Sequence, residues 1–180
     1  MKEKNLNLPN ILAAFRIALA PLMLWFMVDQ SNPIFNGWHP SWFDYFAGLI
    51  FVIASVTDFF DGYIARSWDQ MTKLGSILDP LADKMLILAG LLGLMVLDRA
   101  SAFAVFLILS REFFITGLRV VAVSEGKAVA STMAGKVKTV VQMIAIGFLL
   151  MNWPFATELL WLAVGLTLYS GYEYIRDYLK

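Results

Sequence analysis

The sequence predicts an all-α integral membrane protein with six transmembrane helices and a short N-terminal amphipathic interfacial segment. Composition is the first reason: of 180 residues, 59% are hydrophobic and 16% charged, against about 45–50% and 25% in soluble domains. The mean hydropathy of +0.69 agrees. Patterning is the second reason: the apolar residues fall into six runs with short polar breaks, each near the ~20 residues that cross a ~30 Å hydrocarbon core. The third is that charges are sorted in space, so a formal net charge of zero says little about partners. Cysteine is absent, which excludes disulfides and thiolate zinc sites but fixes no compartment. Residues 1–180 read as a single domain without an internal repeat.

Residues 2–8 mix charge with leucine and suit a segment lying along the interface. Pro9-Asn10 marks a break, and the first span is expected over 11–28 with a kink at Pro21. Lys2 and Lys4 precede an apolar run containing Ala18-Leu19-Ala20, which resembles a signal peptide. Arg16 interrupts that run, and it continues past the small residues to Val28, so the segment reads as uncleaved. Arg16 lies one to two turns inside the span; it either snorkels to the headgroups or reaches toward a lipid phosphate. The loop at 29–41 is rich in turn residues and interfacial aromatics. It holds His39, the only histidine, with no ligand or catalytic role expected.

The second span is expected over 42–66 and the third over 76–97. Pro80 is placed in the third helix's first turn, where its missing N–H does no harm. Asp98-Arg99 leaves a very short connection to a fourth span at 101–124. A basic loop with Lys127 follows, then a fifth span at 132–152. Trp153-Pro154 turns the chain into a sixth at 155–174. Six spans put both termini on one side of the membrane. Of 14 lysines and arginines, only Arg99 falls in the three loops of the other side. The excess of cations therefore places both termini in the cytoplasm.

Residues 58–83 carry the chemistry. Asp58 and Asp61 are three apart, and Asp79 and Asp83 four apart, so on helices each pair shares a face. An ionised aspartate at a bilayer centre costs roughly 2.5–3.5 kcal/mol on insertion scales. A cation removes that cost, and clustered hard oxygens suit Mg²⁺, Mn²⁺ or Ca²⁺. Gly62 and Gly75 permit close approach of a ligand to the backbone, and Arg66 offers fixed charge to phosphate. Together these residue types describe a site for a nucleotide diphosphate. The alternative is acidic residues resting among headgroups, with small residues serving helix packing. Asp69, off the pattern, reads as a solvated loop charge.

A second cluster comprises Arg111, Arg119, Lys136 and Lys138, at the cytoplasmic halves or ends of spans four and five. Charges that deep must face the bundle interior, a cavity or a partner, and Glu112 is placed to pair with one of them. The preferred reading is a cationic pocket for a phosphate; the other is cytoplasmic anchoring of helix ends.

The pattern Asp58-x2-Asp61-Gly62-x2-Ala65-Arg66-x8-Gly75-x3-Asp79-x3-Asp83 resembles the signature of the CDP-alcohol phosphotransferases, matching all eight fixed positions. Ser110-Arg111-Glu112-Phe113, Leu118-Arg119 and Gly135-Lys136-x-Lys138-Thr139-x2-Gln142 resemble the branch of that family whose acceptor is sn-glycerol 3-phosphate. With the Pro9-Asn10 opening and Arg16, the likeness covers essentially the whole chain.

That resemblance implies transfer of a phosphatidyl group from CDP-diacylglycerol to sn-glycerol 3-phosphate, releasing CMP, by a homodimer in the bacterial cytoplasmic (inner) membrane. It implies Mg²⁺ or Mn²⁺, as two ions, held by Asp58, Asp61, Asp79 and Asp83. Asp83 would also serve as general base for the acceptor hydroxyl. Gly62, Ala65, Arg66 and Gly75 would line the nucleotide and diphosphate, and Arg111, Arg119, Lys136 and Lys138 would bind the acceptor's phosphate. An inositol phosphate or other polyol phosphate is the alternative acceptor. A reading from another class, a cation transporter with an aspartate ion site, needs carboxylates near helix centres, whereas these sit toward one end. It also leaves the glycines and arginines without a role.

Overall fold

The computed structural model describes residues 8–67, 75–126 and 132–179, with the side chains of residues 8, 9, 58–67, 75–77 and 79 outside that description. The N-terminal interfacial segment, apart from Leu8, lies outside it, as do Asp69 and Lys127. Among the described residues six α-helices follow one another: α1 (Leu8–Val28), α2 (Ser41–Ser67), α3 (Gly75–Val96), α4 (Ala102–Ser124), α5 (Met133–Leu150) and α6 (Ala156–Tyr178). Among the described residues there is no strand. The all-helical class and the helix positions agree with the sequence reading. Among the described residues, two stretches are long and apolar enough to cross a membrane by length and composition, Asn10–Val28 and Met133–Leu150.

Local chemistry explains the helix ends. Thr132 caps α5 by accepting the Gly135 N–H at 3.1 Å, satisfying one orphan donor of the first turn. His39 Nδ1 accepts the Ser41 N–H at 3.3 Å, where α2 begins, so the histidine helps to start a helix. One expectation is corrected. Because α3 starts at Gly75, Pro80 lies inside the helix beyond its first turn, where its missing N–H removes one intrahelical hydrogen bond.

The chain forms two compact units, Met1–Leu97 and Asp98–Lys180. In the first, α1 packs on both α2 and α3. Its buried seam is Ala13, Arg16, Ala20, Met23 and Met27, spaced alternately by three and four residues as one helix face requires. Phe43, Ala47, Ile50 and Ala54 of α2 and Ala82, Leu86, Ala89 and Leu94 of α3 are buried too. The α1–α3 contact is close: a Cβ on Gly93 would stand 2.6 Å from Met27 Sδ. Beyond α1, Phe35 in a short 3₁₀ turn (Pro33–Phe35) gathers Trp25, Phe26, Trp38 and Phe43 at ring separations of 5.1, 5.6, 5.3 and 5.2 Å.

In the second unit, α6 packs on α5 and α4 through Leu160, Ala163, Val164, Thr167, Ser170, Gly171 and Tyr174. Arg99 donates to the Leu150 carbonyl at 3.0 Å, placing a cation at the C-terminus of α5, where the helix dipole favours it. The outer faces are apolar. Leu49, Val52, Ile53 and Val56 line one side of α2, and Phe103, Phe106, Phe113, Val120 and Val121 a side of α4, all exposed. Stripes of this kind mark contact with lipid or a partner rather than water.

Candidate functional site

The residues singled out from sequence fall into two groups, one in each unit. In the first unit, α2 carries Asp58, Asp61, Gly62, Ala65 and Arg66 in its last turns, and α3 opens with Gly75 and carries Asp79 and Asp83 within its first nine residues. These successive helices pack on one another. The eight signature positions thus occupy the end of one helix and the start of the next. The side chains of Asp58, Asp61, Ala65, Arg66 and Asp79 lie outside the described residues, as do the surroundings of Gly62 and Gly75. The four aspartates of the signature are hard carboxylates, with no sulfur or imidazole among the signature positions, a residue set that would suit Mg²⁺ or Mn²⁺ and not a soft metal.

Asp83 is described. Its Oδ1 accepts a hydrogen bond from Arg16 NH1 at 2.6 Å, with the Arg16 side chain 1% exposed and that of Asp83 43%. A short charge-assisted bond thus joins α1 to α3 at the end where the aspartates lie. The structure shows neither of the two roles read for Arg16: buried, it turns inward to a protein carboxylate instead of to headgroups or a lipid phosphate.

The second unit holds the cationic cluster. Lys138 of α5 is buried and donates to Glu112 of α4. Arg111 NH1 lies 3.4 Å from the same Glu112 oxygen, and Arg111 NH2 donates to Ser170 of α6 at 3.0 Å. Gly171 makes room for this arginine: a Cβ there would meet Arg111 Cγ at 3.3 Å. Gln142, one turn after Lys138, and Thr167, one turn before Ser170, are buried alongside, each with a side-chain oxygen lacking a hydrogen-bond partner. Three helices therefore contribute a polar layer inside an otherwise apolar bundle.

The four cations of that cluster are not arranged alike. Arg111 and Lys138 meet on Glu112. Arg119, two turns after Arg111, is exposed and lies over the Tyr174 ring, 5.9 Å from its centroid, a cation–π distance. Lys136 is exposed; two residues from Lys138, it points about 200° away around α5. Sequence reasoning anticipated a partner in Glu112 but missed Thr167, Ser170 and Tyr174. The available signal was their spacing of three and four residues along α6, which puts polar groups on the buried face of an apolar helix.

The residues 6–169 match the family model described as CDP-alcohol phosphatidyltransferase. Among similar curated proteins, one of Bacillus subtilis (strain 168) is 42% identical, the match covering 93% of this chain and 93% of that protein. Others are from Rickettsia felis, 36% identical over 94% of each chain, and Escherichia coli (strain K12), 36% identical over 94% of this chain and 93% of that one. All three bear the name CDP-diacylglycerol–glycerol-3-phosphate 3-phosphatidyltransferase. With a family match that spans both units and includes every signature position, the chain belongs to the CDP-alcohol phosphatidyltransferase family.

Proposed function

We propose that this protein transfers the phosphatidyl group of CDP-diacylglycerol to sn-glycerol 3-phosphate, giving phosphatidylglycerophosphate and CMP. The observation that carries this reading is the near end-to-end match to relatives named for that reaction, together with the intact aspartate signature. The chain is an enzyme of phospholipid synthesis on this reading, acting as one catalytic domain.

Asp58, Asp61, Asp79 and Asp83 would hold the divalent ions, Mg²⁺ or Mn²⁺. When bound, such ions supply Lewis-acid stabilisation of charge on the diphosphate oxygens. Gly62 and Gly75 leave room for the nucleotide and diphosphate beside the backbone, next to Ala65, and Arg66 binds phosphate oxygens. Asp83 takes the proton of the acceptor hydroxyl. The acceptor oxygen then bonds to the β-phosphorus, the bond to the CMP oxygen breaks, and CMP leaves with the electron pair. Arg111, Arg119, Lys136 and Lys138 bind the acceptor's phosphate; Arg111 and Lys138 are half-buried and buried, where a charge acts more strongly than in water, and Arg119 and Lys136 are exposed.

The membrane arrangement belongs to the same proposal. All six helices span the bilayer of the bacterial inner membrane, with both termini and the aspartate site in the cytoplasm and the protein as a homodimer. Support comes from the one-sided distribution of cations and from the exposed apolar stripes of α2 and α4. The acyl chains of the substrate then remain among lipids.

The test is direct. Purified protein in detergent is given CDP-diacylglycerol and a panel of acceptors, and CMP release is followed. Release confined to glycerol 3-phosphate is expected. Release with an inositol phosphate instead moves the protein to another acceptor, and no release with any alcohol rejects the transferase reading.

A further inference from the structure

Arg16 occupies a position that its helix otherwise fills with Ala13, Ala20, Met23 and Met27. A guanidinium there is costly to desolvate, and an arginine in an apolar helix ordinarily extends toward water. This one is sealed between helices, while its partner Asp83 remains nearly half exposed. The pair is thus lopsided. The arrangement is well suited to aiming the carboxylate. The guanidinium is planar and rigid, its helix is fixed by close packing at Gly93 and Met27, and its bond to Asp83 Oδ1 is short, at 2.6 Å.

We propose that Arg16 is a positioning residue for Asp83, holding one carboxylate oxygen so that the group meets the acceptor and the metal in a single orientation. This rests on the role given to Asp83 above. In this role Arg16 acts through the aspartate. Groups that orient a ligand from behind change metal affinity or activity by about 10–100-fold when removed, and a misplacement of 1 Å costs about 100-fold in rate.

The experiment uses full-length protein in detergent, with Arg16→Gln, Arg16→Lys, Asp83→Asn and the double variant Arg16→Gln/Asp83→Asn. Turnover is normalised to folded protein by size exclusion and thermal unfolding. Mn²⁺ affinity is measured by electron paramagnetic resonance without substrate, a readout independent of catalysis. Arg16→Gln should lower kcat by about 100-fold with both KM values within about twofold, and weaken Mn²⁺ binding by about tenfold. Arg16→Lys, which restores charge but not the planar fork, should fall between. In the Asp83→Asn background, Arg16→Gln should weaken Mn²⁺ binding no further, because its effect passes through a carboxylate already altered. A wild-type kcat or Mn²⁺ affinity in Arg16→Gln overturns the proposal, and so does full additivity with Asp83→Asn. If Arg16→Gln does not fold, wild-type kcat in Arg16→Lys overturns it. Wild-type turnover in Asp83→Asn rejects the reading of Asp83 itself, whereas an inactive Asp83→Asn beside an active Arg16→Gln rejects only the role of Arg16.

Discussion

Lys138 and Glu112 are 26 residues apart in sequence, yet the buried ammonium of one donates to the carboxylate of the other. Lys138 is 5% exposed, so water has little access to the lysine side of the pair. Glu112→Gln removes the countercharge and should cost roughly 3–5 kcal/mol, the usual penalty for breaking a buried ion pair. A lower thermal unfolding temperature in detergent would register it, and adding Lys138→Met should recover part of the loss by removing one of the two cations on Glu112, Arg111 being the other. An unchanged unfolding temperature in Glu112→Gln would mean that the pair contributes nothing to folding.

The two exposures within the cationic cluster separate its members. Arg111 is tied to Glu112 and Ser170, whereas Lys136 is exposed. If both bind the acceptor's phosphate, neutralising either removes a charge-assisted bond of roughly 1.5–3 kcal/mol. That raises the KM for glycerol 3-phosphate about ten- to a hundredfold and leaves the KM for the CDP-lipid nearly constant. Arg111→Gln should also lower thermal stability, because it opens the polar layer; Lys136→Gln should not. Wild-type kinetics in both variants would remove the case for a phosphate pocket.

The aspartates make a sharper demand. If Asp58, Asp61 and Asp79 hold the metal, Asp58→Asn, Asp61→Asn and Asp79→Asn each replace a hard anionic ligand with a weak neutral one. Each should abolish transfer while leaving a folded, membrane-inserted protein, as judged by membrane fractionation and size exclusion. Chelation should stop the unmodified enzyme and Mg²⁺ or Mn²⁺ restore it. Near-normal turnover in any one variant would strike that residue from the ligand set.

Much of this was legible in the sequence because hydrophobic runs and charged breaks report helix positions directly. The spans read at 42–66 and 101–124 became α2 (Ser41–Ser67) and α4 (Ala102–Ser124). The aspartate signature was legible because it is local: all eight positions lie within 26 residues. The pairing of Arg16 with Asp83 was not, because it joins residues 67 apart and depends on which way α1 is rotated against α3. Pro80 was misplaced by a subtler cause. Gly75 is a weak helix former, yet α3 begins there, which moves the proline from the first turn into the interior. Thr167 and Ser170 escaped notice because neutral hydroxyls in an apolar run look like packing residues until their periodicity is compared with that of the buried face.

The close approach of α1 and α3 yields the last prediction. A Cβ built on Gly93 falls 2.6 Å from both Sδ and Cε of Met27 and 3.2 Å from its Cβ. The thioether end can swing aside, since methionine is flexible, but the Cβ moves only with the backbone of α1. Gly93→Ala gains roughly 1 kcal/mol of helix propensity against a comparable overpacking penalty, so its net effect should be small. Gly93→Val adds branched bulk and should cost about 1–3 kcal/mol, lowering the thermal unfolding temperature. Because the same helix pair sets the distance from Arg16 to Asp83, the valine variant should also lose turnover per folded molecule. Met27→Ala in the same chain clears the obstructing atoms and should restore part of both. If Gly93→Val matches the unmodified protein in stability and turnover, the α1–α3 spacing is not fixed at this crossing. If stability falls while turnover per folded molecule is kept, the crossing holds the helices together without setting the geometry of Asp83.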